Sequence, residues 1–211
     1  MAENMLKAVL LRVKRPLDQF TANLCGDHGE EWLAEFKKFL RKEPTWVKTD
    51  ETPIYELLGT IHVPAAQREF LVRKYFIVDN DEAAEIRIRY LSDRFTAKIY
   101  NKKESFQPKR TIHRYRLLVN LVDKSIITRL GGKEIAVTSM QDIWYLLKLQ
   151  GKGEKGNLLT NGKVNLFLVY DESDEIMAIS LDWNVFGWGI EAFSTELHVL
   201  ECESNSQLFS N

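Results

Sequence analysis

Residues 166–193, LFLVYDESDEIMAISLDWNVFGWGIEAF, decide the fold class of this chain. Three apolar runs, 166–170, 176–183 and 188–193, are separated by short connections rich in Asp, Glu, Asn and Gly. Connections of this length join antiparallel strands, because a parallel pair needs a crossover of about a dozen residues or more. The stretch therefore predicts a three-stranded antiparallel meander.

A helix is predicted directly before the meander. Thr138 and Gln141 have the spacing of a capping box, in which the hydroxyl binds a free amide and the glutamine reaches back. Apolar residues between 143 and 149 supply a face for burial, and Gly151 stands where helices commonly end.

A longer amphipathic helix is predicted over residues 30–43. Its acids come first and its bases last, which matches the helix dipole, and Pro44 ends it. Because its apolar stripe is wide and aromatic, we expect burial of the stripe against a sheet. The residues expected to be buried are Trp32, Phe36, Phe39 and Leu40.

Residues 54–119 switch to alternating apolar and polar positions, the pattern typical of strands. The clearest run is 85–90, and further strands are predicted at 61–63, 70–72, 75–77, 95–99 and 112–119. The order of elements predicts an α+β fold: a helical N-terminal region, an antiparallel β-sheet, then a helix and the three-stranded antiparallel meander.

The chain is divided accordingly, with one compact domain overall as the alternative. The predicted parts are a helical N-terminal region at 1–50, a mainly antiparallel β region at 51–137, a helix plus β-meander at 138–203 and a tail at 204–211. With 211 residues and 45% hydrophobic content, the chain can bury a substantial core.

The composition predicts a cytoplasmic protein. The apolar run at 5–13 is shorter than the ~20 residues that cross a bilayer, and basic residues follow it where a signal peptide would place them first. Cys25 and Cys202 are isolated, unlike the dense cysteines of small secreted domains, and are expected to be reduced.

The charges are strongly segregated, although the formal net charge is only -1. Residues 171–203 carry acids and neither Lys nor Arg, whereas bases and aromatics interleave in residues 94–116. Bases with aromatics can neutralise phosphates and stack on nucleotide bases, so this segment is a candidate single-stranded nucleic-acid interface. The candidate residues are Lys98, Lys102, Lys103, Lys109, Arg110, Arg114, Tyr115 and Arg116.

A structural interpretation of the same charges is favoured over nucleic-acid binding. Charge runs are usually solvated faces, and the acidic segment 171–203 can pack beside the basic one. The sequence pI of about 6.5 is also low for a dedicated nucleic-acid binder.

The other motifs predict no cofactor, metal or catalytic residue. Residues 151–156, GKGEKG, match the dinucleotide pattern G-x-G-x-x-G, but they follow a helix instead of opening one, so we expect a mobile linker that binds no nucleotide. The histidines are scattered without zinc-site spacing. Cys25 with His28, or Asp79 and Asp81 with Glu85, are the weak candidates for a hydrolase or nuclease.

Three blocks of the sequence are residues 31–43, EWLAEFKKFLRKE; 59–64, GTIHVP; and 158–162, LLTNG. Together they resemble a family of uncharacterised proteins predicted from small-genome, uncultivated bacteria. The resemblance covers most of residues 30–195 and departs from the family at 43–46 and at Lys163-Val164. The family has no assigned activity, so the resemblance implies a folded protein and no particular chemistry.

The leading functional hypothesis is a non-enzymatic binding or interaction protein that acts through charged and aromatic surfaces. A protein partner is favoured over nucleic acid, no membrane partner is expected, and the oligomeric state stays open. The alternatives are single-stranded nucleic-acid binding through residues 94–116 and a small hydrolase or nuclease.

Overall fold

A computed structural model describes residues 20–40, 53–66, 68–118, 121–122, 125–195, 200–201 and 204–211. The chain divides into two compact units, one ending at Thr52 and the other running from Pro53 to Asn211. No helix among the described residues is both long enough and apolar enough to cross a membrane.

In the first unit, residues 20–24 are helical and helix α1 spans Gly29–Leu40. Phe20 contacts this helix, with ring centroids 4.6 Å from Phe36 and 6.5 Å from Trp32. Trp32 and Phe36 are only half-buried, and Leu40 is 63% exposed. The predicted burial of the whole stripe is therefore wrong, and the Phe39 side chain lies outside the described residues.

The second unit is built on one large mixed sheet. Its strand order is β1-β5-β11-β7-β8-β9-β3, and two separate two-stranded ladders pair β2 with β4 and β6 with β10. The strands are β1 Tyr55–Val63, β2 Phe70–Leu71, β3 Ile88–Leu91, β4 Lys103–Glu104, β5 Arg110–Leu117, β6 Leu121–Val122, β7 Asn165–Tyr170, β8 Ile176–Asn184, β9 Gly187–Ser194, β10 Leu200–Glu201 and β11 Gln207–Ser210.

The seven-stranded sheet contains two parallel and four antiparallel strand pairs. β11 lies parallel to β7 and β3 lies parallel to β9, while β1–β5, β5–β11, β7–β8 and β8–β9 are antiparallel. The helices are short: α2 Asp93–Lys98, α3 Ser125–Arg129, α4 Lys133–Ala136 and α5 Met140–Leu149, with a 3-10 turn at Val72–Lys74.

Both faces of the sheet are covered, so its central strand β7 is apolar at consecutive positions rather than alternating ones. Phe167 and Val169 belong to one buried cluster, which includes Ile143 and Leu147 of α5. Leu166 and Leu168 belong to a second cluster, which includes Ile126 of α3 and Ala136 of α4. Side chains two residues apart point to the same face, which explains this division.

The predicted fold class is wrong. β7, β8 and β9 do follow one another with antiparallel pairing, but they are the middle of a seven-stranded mixed sheet and not a separate three-stranded meander. A helical N-terminal region followed by an antiparallel sheet also fails to describe a molecule that is mainly one large mixed sheet with a few short helices.

Two local predictions need the same correction. The strand expected at 95–99 is largely helix α2, because Ser92 accepts a hydrogen bond from the Phe95 amide and caps a helical turn. The tail expected at 204–211 contains β11, which lies between β5 and β7 in the sheet.

Candidate functional site: an aromatic and cationic cleft

Arg110, a predicted nucleic-acid contact, makes its ion pair and hydrogen bonds with residues of the protein itself. Its Nε lies 2.8 and 3.1 Å from the carboxylate oxygens of Asp142, and its Nη2 donates to Ser139 Oγ at 2.6 Å. The side chains of Arg110 and Asp142 are 13% and 1% exposed, respectively. Arg110 therefore ties the start of β5 to the first turn of α5.

Asp142 also belongs to the cap of α5. Ser139 Oγ accepts from the Asp142 amide and the Asp142 carboxylate accepts from the Ser139 amide, which forms a capping box. The sequence predicted this motif one residue too early, at Thr138 and Gln141. The Thr138 hydroxyl instead donates to the Leu168 carbonyl.

Lys102 is also occupied. Its Nζ lies 3.2 Å from a carboxylate oxygen of Glu104 and donates to the Tyr170 carbonyl. Glu104 is buried and accepts from the Met140 and Gln141 amides at 2.9 and 3.0 Å. This carboxylate stabilises the positive end of the α5 dipole, so the Lys102–Glu104 pair has a structural role.

The other predicted contacts of β5 also have internal partners. Arg114 donates to the Asn157 side chain and carbonyl at 3.3 Å, and Arg116 pairs with Glu56 at 3.2 Å. The Tyr115 ring lies 5.0 Å from the Tyr55 ring, edge to face. Arg114 and Tyr115 therefore contact other parts of the fold, whereas the Arg116–Glu56 pair lies on the surface, with side chains 43% and 56% exposed.

Among the described residues, the acids of 171–203 pair with few of the bases of 94–116. Lys98 lies 3.8 Å from Asp171, and Asp182 pairs with Arg89, which lies before the basic segment. Lys103 and Lys109 are exposed and have no ion pair among the described residues. Of the predicted interface, these two lysines are the cations that the fold leaves available.

A cleft of about 450 Å³ lies between the chain that follows β1 and one face of α5. Its lining is formed by Val63, Pro64, Ala65, Ala66, Arg68, Phe70, Tyr75, Arg110, Gln141, Trp144, Tyr145 and Lys148. Phe70 and Tyr75 stack with ring centroids 4.3 Å apart, and Tyr75 lies 5.4 Å from Trp144. Tyr75, Trp144 and Tyr145 are half-buried, so parts of their rings remain open to a ligand.

The spacing of α5 explains this wall of the cleft. Gln141, Trp144, Tyr145 and Lys148 recur at intervals of three and four and share one face of the helix. Met140, Ile143, Leu146 and Leu147 form the face that is fully buried in the core. A second, aromatic stripe beside the apolar one is the sequence signal for the cleft, whereas the sequence prediction places Trp144 on the buried face.

The cleft is electropositive. Arg68 and Lys148 are exposed and have no ion pair among the described residues, whereas Arg110 is neutralised by Asp142. Among the described residues, the lining includes no Asp, Glu, His, Cys or Ser. Cations beside aromatic faces, without carboxylates to repel an anion, suit a negatively charged ligand with a planar body.

One buried polar atom of the lining lacks a partner. The amide nitrogen of Gln141 donates to the Ser105 carbonyl at 2.9 Å, but Gln141 Oε1 accepts no hydrogen bond from the described residues. An unsatisfied buried acceptor costs about 1 to 3 kcal/mol, and this atom is closed to solvent.

A second cavity, of about 350 Å³, lies at the other side of Arg110. Part of its lining, Ser139, Asp142 and Arg110, is bonded together at the cap of α5. Lys133, Glu134 and Asn211, which also line this cavity, are exposed.

The weak catalytic candidates lie at exposed positions. Cys25 is exposed, and His28 lies 3.6 Å from Glu31 on the surface of α1. Asp79 and Asp81 accept hydrogen bonds from the amides of Asp81 and Ala83, which are turn contacts. No cluster of three or more potential metal ligands occurs in the described part of the chain.

The glycines of 151–156 have packing roles. A Cβ on Gly151 would lie 2.2 Å from the Glu85 carbonyl, and one on Gly153 would lie 2.0 Å from the Trp183 ring. Gln150 holds the far side of this loop, since its side chain bonds to the Glu154 carbonyl and to both backbone groups of Leu158. The expectation of a loose linker is therefore wrong.

Comparison of the chain with protein-family models, curated proteins and solved structures gives no match in any of the three. The functional assignment consequently rests on the geometry of the cleft.

Proposed function

We propose that this protein is a non-enzymatic cytoplasmic binding protein whose cleft between α5 and residues 63–75 takes an anionic ligand with a planar, apolar body. The observation that carries the proposal is the lining itself, which combines four aromatic rings with the uncommitted cations Arg68 and Lys148. A volume of about 450 Å³ suits a small molecule or one unit of a polymer.

Each part of the lining has a separate effect on binding. The rings supply apolar area and stacking, whereas Arg68 and Lys148 select for negative charge. The described lining includes no acid, histidine, cysteine or serine, and its rings and cations supply contacts for binding.

The test is a titration with 8-anilinonaphthalene-1-sulfonate, a planar anionic probe, followed by its fluorescence. We expect saturable binding at one site, weakened about five- to thirtyfold by Lys148→Glu, since reversing one charge near an anion is worth on the order of 1 to 2 kcal/mol. Trp144→Ala should weaken it as well. Lys155→Glu is the matched control, because Lys155 is exposed and does not line the cleft.

Two results would contradict the proposal. Equal affinity in Lys148→Glu, Lys155→Glu and the parent would place the probe elsewhere on the surface. Binding of a neutral anilinonaphthalene as tight as that of the sulfonate would remove the role of the cations. A thermal melt of each variant checks that the native fold is kept.

A further inference from the structure

Residues 103–109 lie beside one wall of the cleft and carry the exposed bases Lys103 and Lys109. Residues 103–107 run beside the wall 66–71: Ala66 bridges Gln107, Phe70 pairs with Glu104, and Leu71 pairs with Lys103. Ala66 and Phe70 line the cleft, so the chain from Lys103 to Lys109 borders its rim.

Residues 103–109 have the composition of a surface that contacts both the phosphates and the nucleotide bases of a polynucleotide chain. Glu104 points inward and is buried, whereas its neighbour Lys103 is exposed. Phe106 is 58% exposed, an unusual position for a large apolar ring, and Lys109 is exposed two residues after Gln107. An exposed ring between two unpaired cations can stack a base while the cations neutralise phosphates.

We infer that the ligand of the cleft is a single-stranded nucleic acid, with one base among Tyr75, Trp144 and Tyr145 and the adjoining phosphates along Arg68, Lys148, Lys103 and Lys109. The inference rests on the proposed function and deepens it by naming the class of ligand.

A strand explains more of the surface than a free nucleotide does. A mononucleotide fills the cleft and leaves Lys103, Phe106 and Lys109 outside the contact, whereas a strand of a few nucleotides reaches both parts. A duplex is disfavoured, because its bases are already stacked and cannot enter a cleft of aromatic rings without being flipped out.

This site differs from the one predicted from the sequence. Lys103 and Lys109 are kept, but Lys102, Arg110, Arg114 and Arg116 are bonded within the fold. Arg68, Tyr75, Trp144 and Lys148, which lie outside residues 94–116, take their place.

The test uses the full chain and fluorescein-labelled 12-nucleotide oligothymidylate, with fluorescence polarisation measured at several salt concentrations. With about four phosphates neutralised, log K should fall against log salt with a slope of about -3, and Lys109→Ala should reduce that slope by about 0.7. Trp144→Leu should weaken binding by roughly 5- to 150-fold, as expected for the loss of one stacking side chain. Lys155→Ala should leave both quantities unchanged.

Three further arms use oligouridylate of the same length, an abasic 12-nucleotide strand and thymidine monophosphate. Oligouridylate should bind within about tenfold of oligothymidylate, because stacking and phosphate contacts do not depend on the sugar. The abasic strand should bind as weakly to the parent as oligothymidylate binds to Trp144→Leu. The monophosphate should bind far more weakly than either oligonucleotide.

The overturning results are distinct. No oligonucleotide binding at low salt, with the sulfonate probe still bound in the cleft, ends this inference and leaves the proposed function standing. Loss of both oligonucleotide binding and sulfonate-probe binding ends this inference and the proposed function together. If the abasic strand binds as tightly as oligothymidylate, phosphate attraction alone explains the binding. If the monophosphate binds as tightly as oligothymidylate, the cleft is a free-nucleotide site. Either result overturns the inference that the ligand is a single-stranded nucleic acid.

Discussion

At the residue scale, two adjacent basic residues, Lys109 and Arg110, have opposite roles. Lys109 is exposed with no ion pair among the described residues, while Arg110 is bonded to Asp142 and Ser139. Composition cannot separate the two, because the partners of Arg110 lie about thirty residues further along the chain. The sequence predicted the basic segment correctly as a concentration of charge, but it contained no local signal for which charges α5 would neutralise.

The first prediction compares these two residues. Arg110→Met should lower the free energy of unfolding by about 3 to 5 kcal/mol, because it leaves the buried Asp142 carboxylate without its cation. Lys109→Met, the matched control, should change it by less than about 0.5 kcal/mol. Urea denaturation measures both values.

A second substitution separates charge from packing. Adding Asp142→Asn to Arg110→Met should recover part of the loss, since the asparagine carries no buried charge and can still accept the Ser139 amide hydrogen bond. Equal stability of Arg110→Met and Lys109→Met would show that the ion pair is not structural.

The second prediction concerns the pH dependence of Tyr55. Burial, and secondarily the neighbouring Tyr115, raise the pKa of the Tyr55 phenol above its ordinary value, and its hydroxyl donates to the Arg129 carbonyl at 2.8 Å. A raised folded-state pKa means that the unfolded chain loses this proton first as pH rises. The stability from Tyr55 should therefore be complete below about pH 10 and be lost as pH rises through the folded-state pKa.

The comparison for that prediction is Tyr55→Phe. At pH 8 the variant should be less stable by about 0.5 to 1.5 kcal/mol, the usual contribution of one hydrogen bond. The difference from the parent should shrink as pH rises above about 10, since other titrating groups are common to both proteins. A difference that grows over this range would contradict the assigned direction of the pKa.

At the scale of elements, the sequence predicted most accurately those helices and strands whose own residues are sufficient to determine their structure. The helix at Met140–Leu149 has a cap, an apolar face and a terminating loop of its own, and it is present. The segment 95–99 alternates like a strand but forms α2, because the cap at Ser92 and the burial of Phe95 and Ile99 outweigh the alternation. The aromatic cleft was missed for a related reason, since one helix carries two adjacent faces with different surroundings.

The third prediction concerns the loop after α5. Gly153 and Gly162 both have positive φ, at 74° and 84°, but a Cβ on Gly153 meets the Trp183 ring while one on Gly162 meets open space. Gly162→Ala should cost about 1 to 2 kcal/mol, the strain of that conformation alone. Gly153→Ala should cost clearly more, because the indole must also move.

Thermal or urea unfolding of the two alanine variants tests this difference. Equal losses would mean that Trp183 gives way freely and that the loop is not packed against it. A saturable interaction of the parent with ATP or NAD, abolished in Gly153→Ala, would instead restore the nucleotide-loop interpretation of residues 151–156.

At the scale of the whole molecule, the sheet is mixed because strands distant along the chain insert beside one another. β11 joins β5 on one side and β7 on the other, so it connects the β1–β5 pair to the β7–β8–β9–β3 part of the sheet. A four-residue strand near the end of the described chain carries too little pattern to be recognised from sequence. Long-range pairing of this kind depends on the complementary surface of the completed core, which local periodicity does not contain.

The last prediction tests whether β11 holds the sheet together. Phe209 is fully buried and stacks on Phe167 with centroids 4.4 Å apart, whereas Phe186 lies in the β8–β9 turn and is 64% exposed. Phe209→Ala should lower the free energy of unfolding by about 3 to 5 kcal/mol, and Phe186→Ala by less than about 0.5 kcal/mol. Hydrogen exchange should show faster exchange in both β5 and β7 in Phe209→Ala, because both strands bond to β11. A variant with parental stability, or with faster exchange confined to residues 207–210, would show that the two parts of the sheet are stable without this strand.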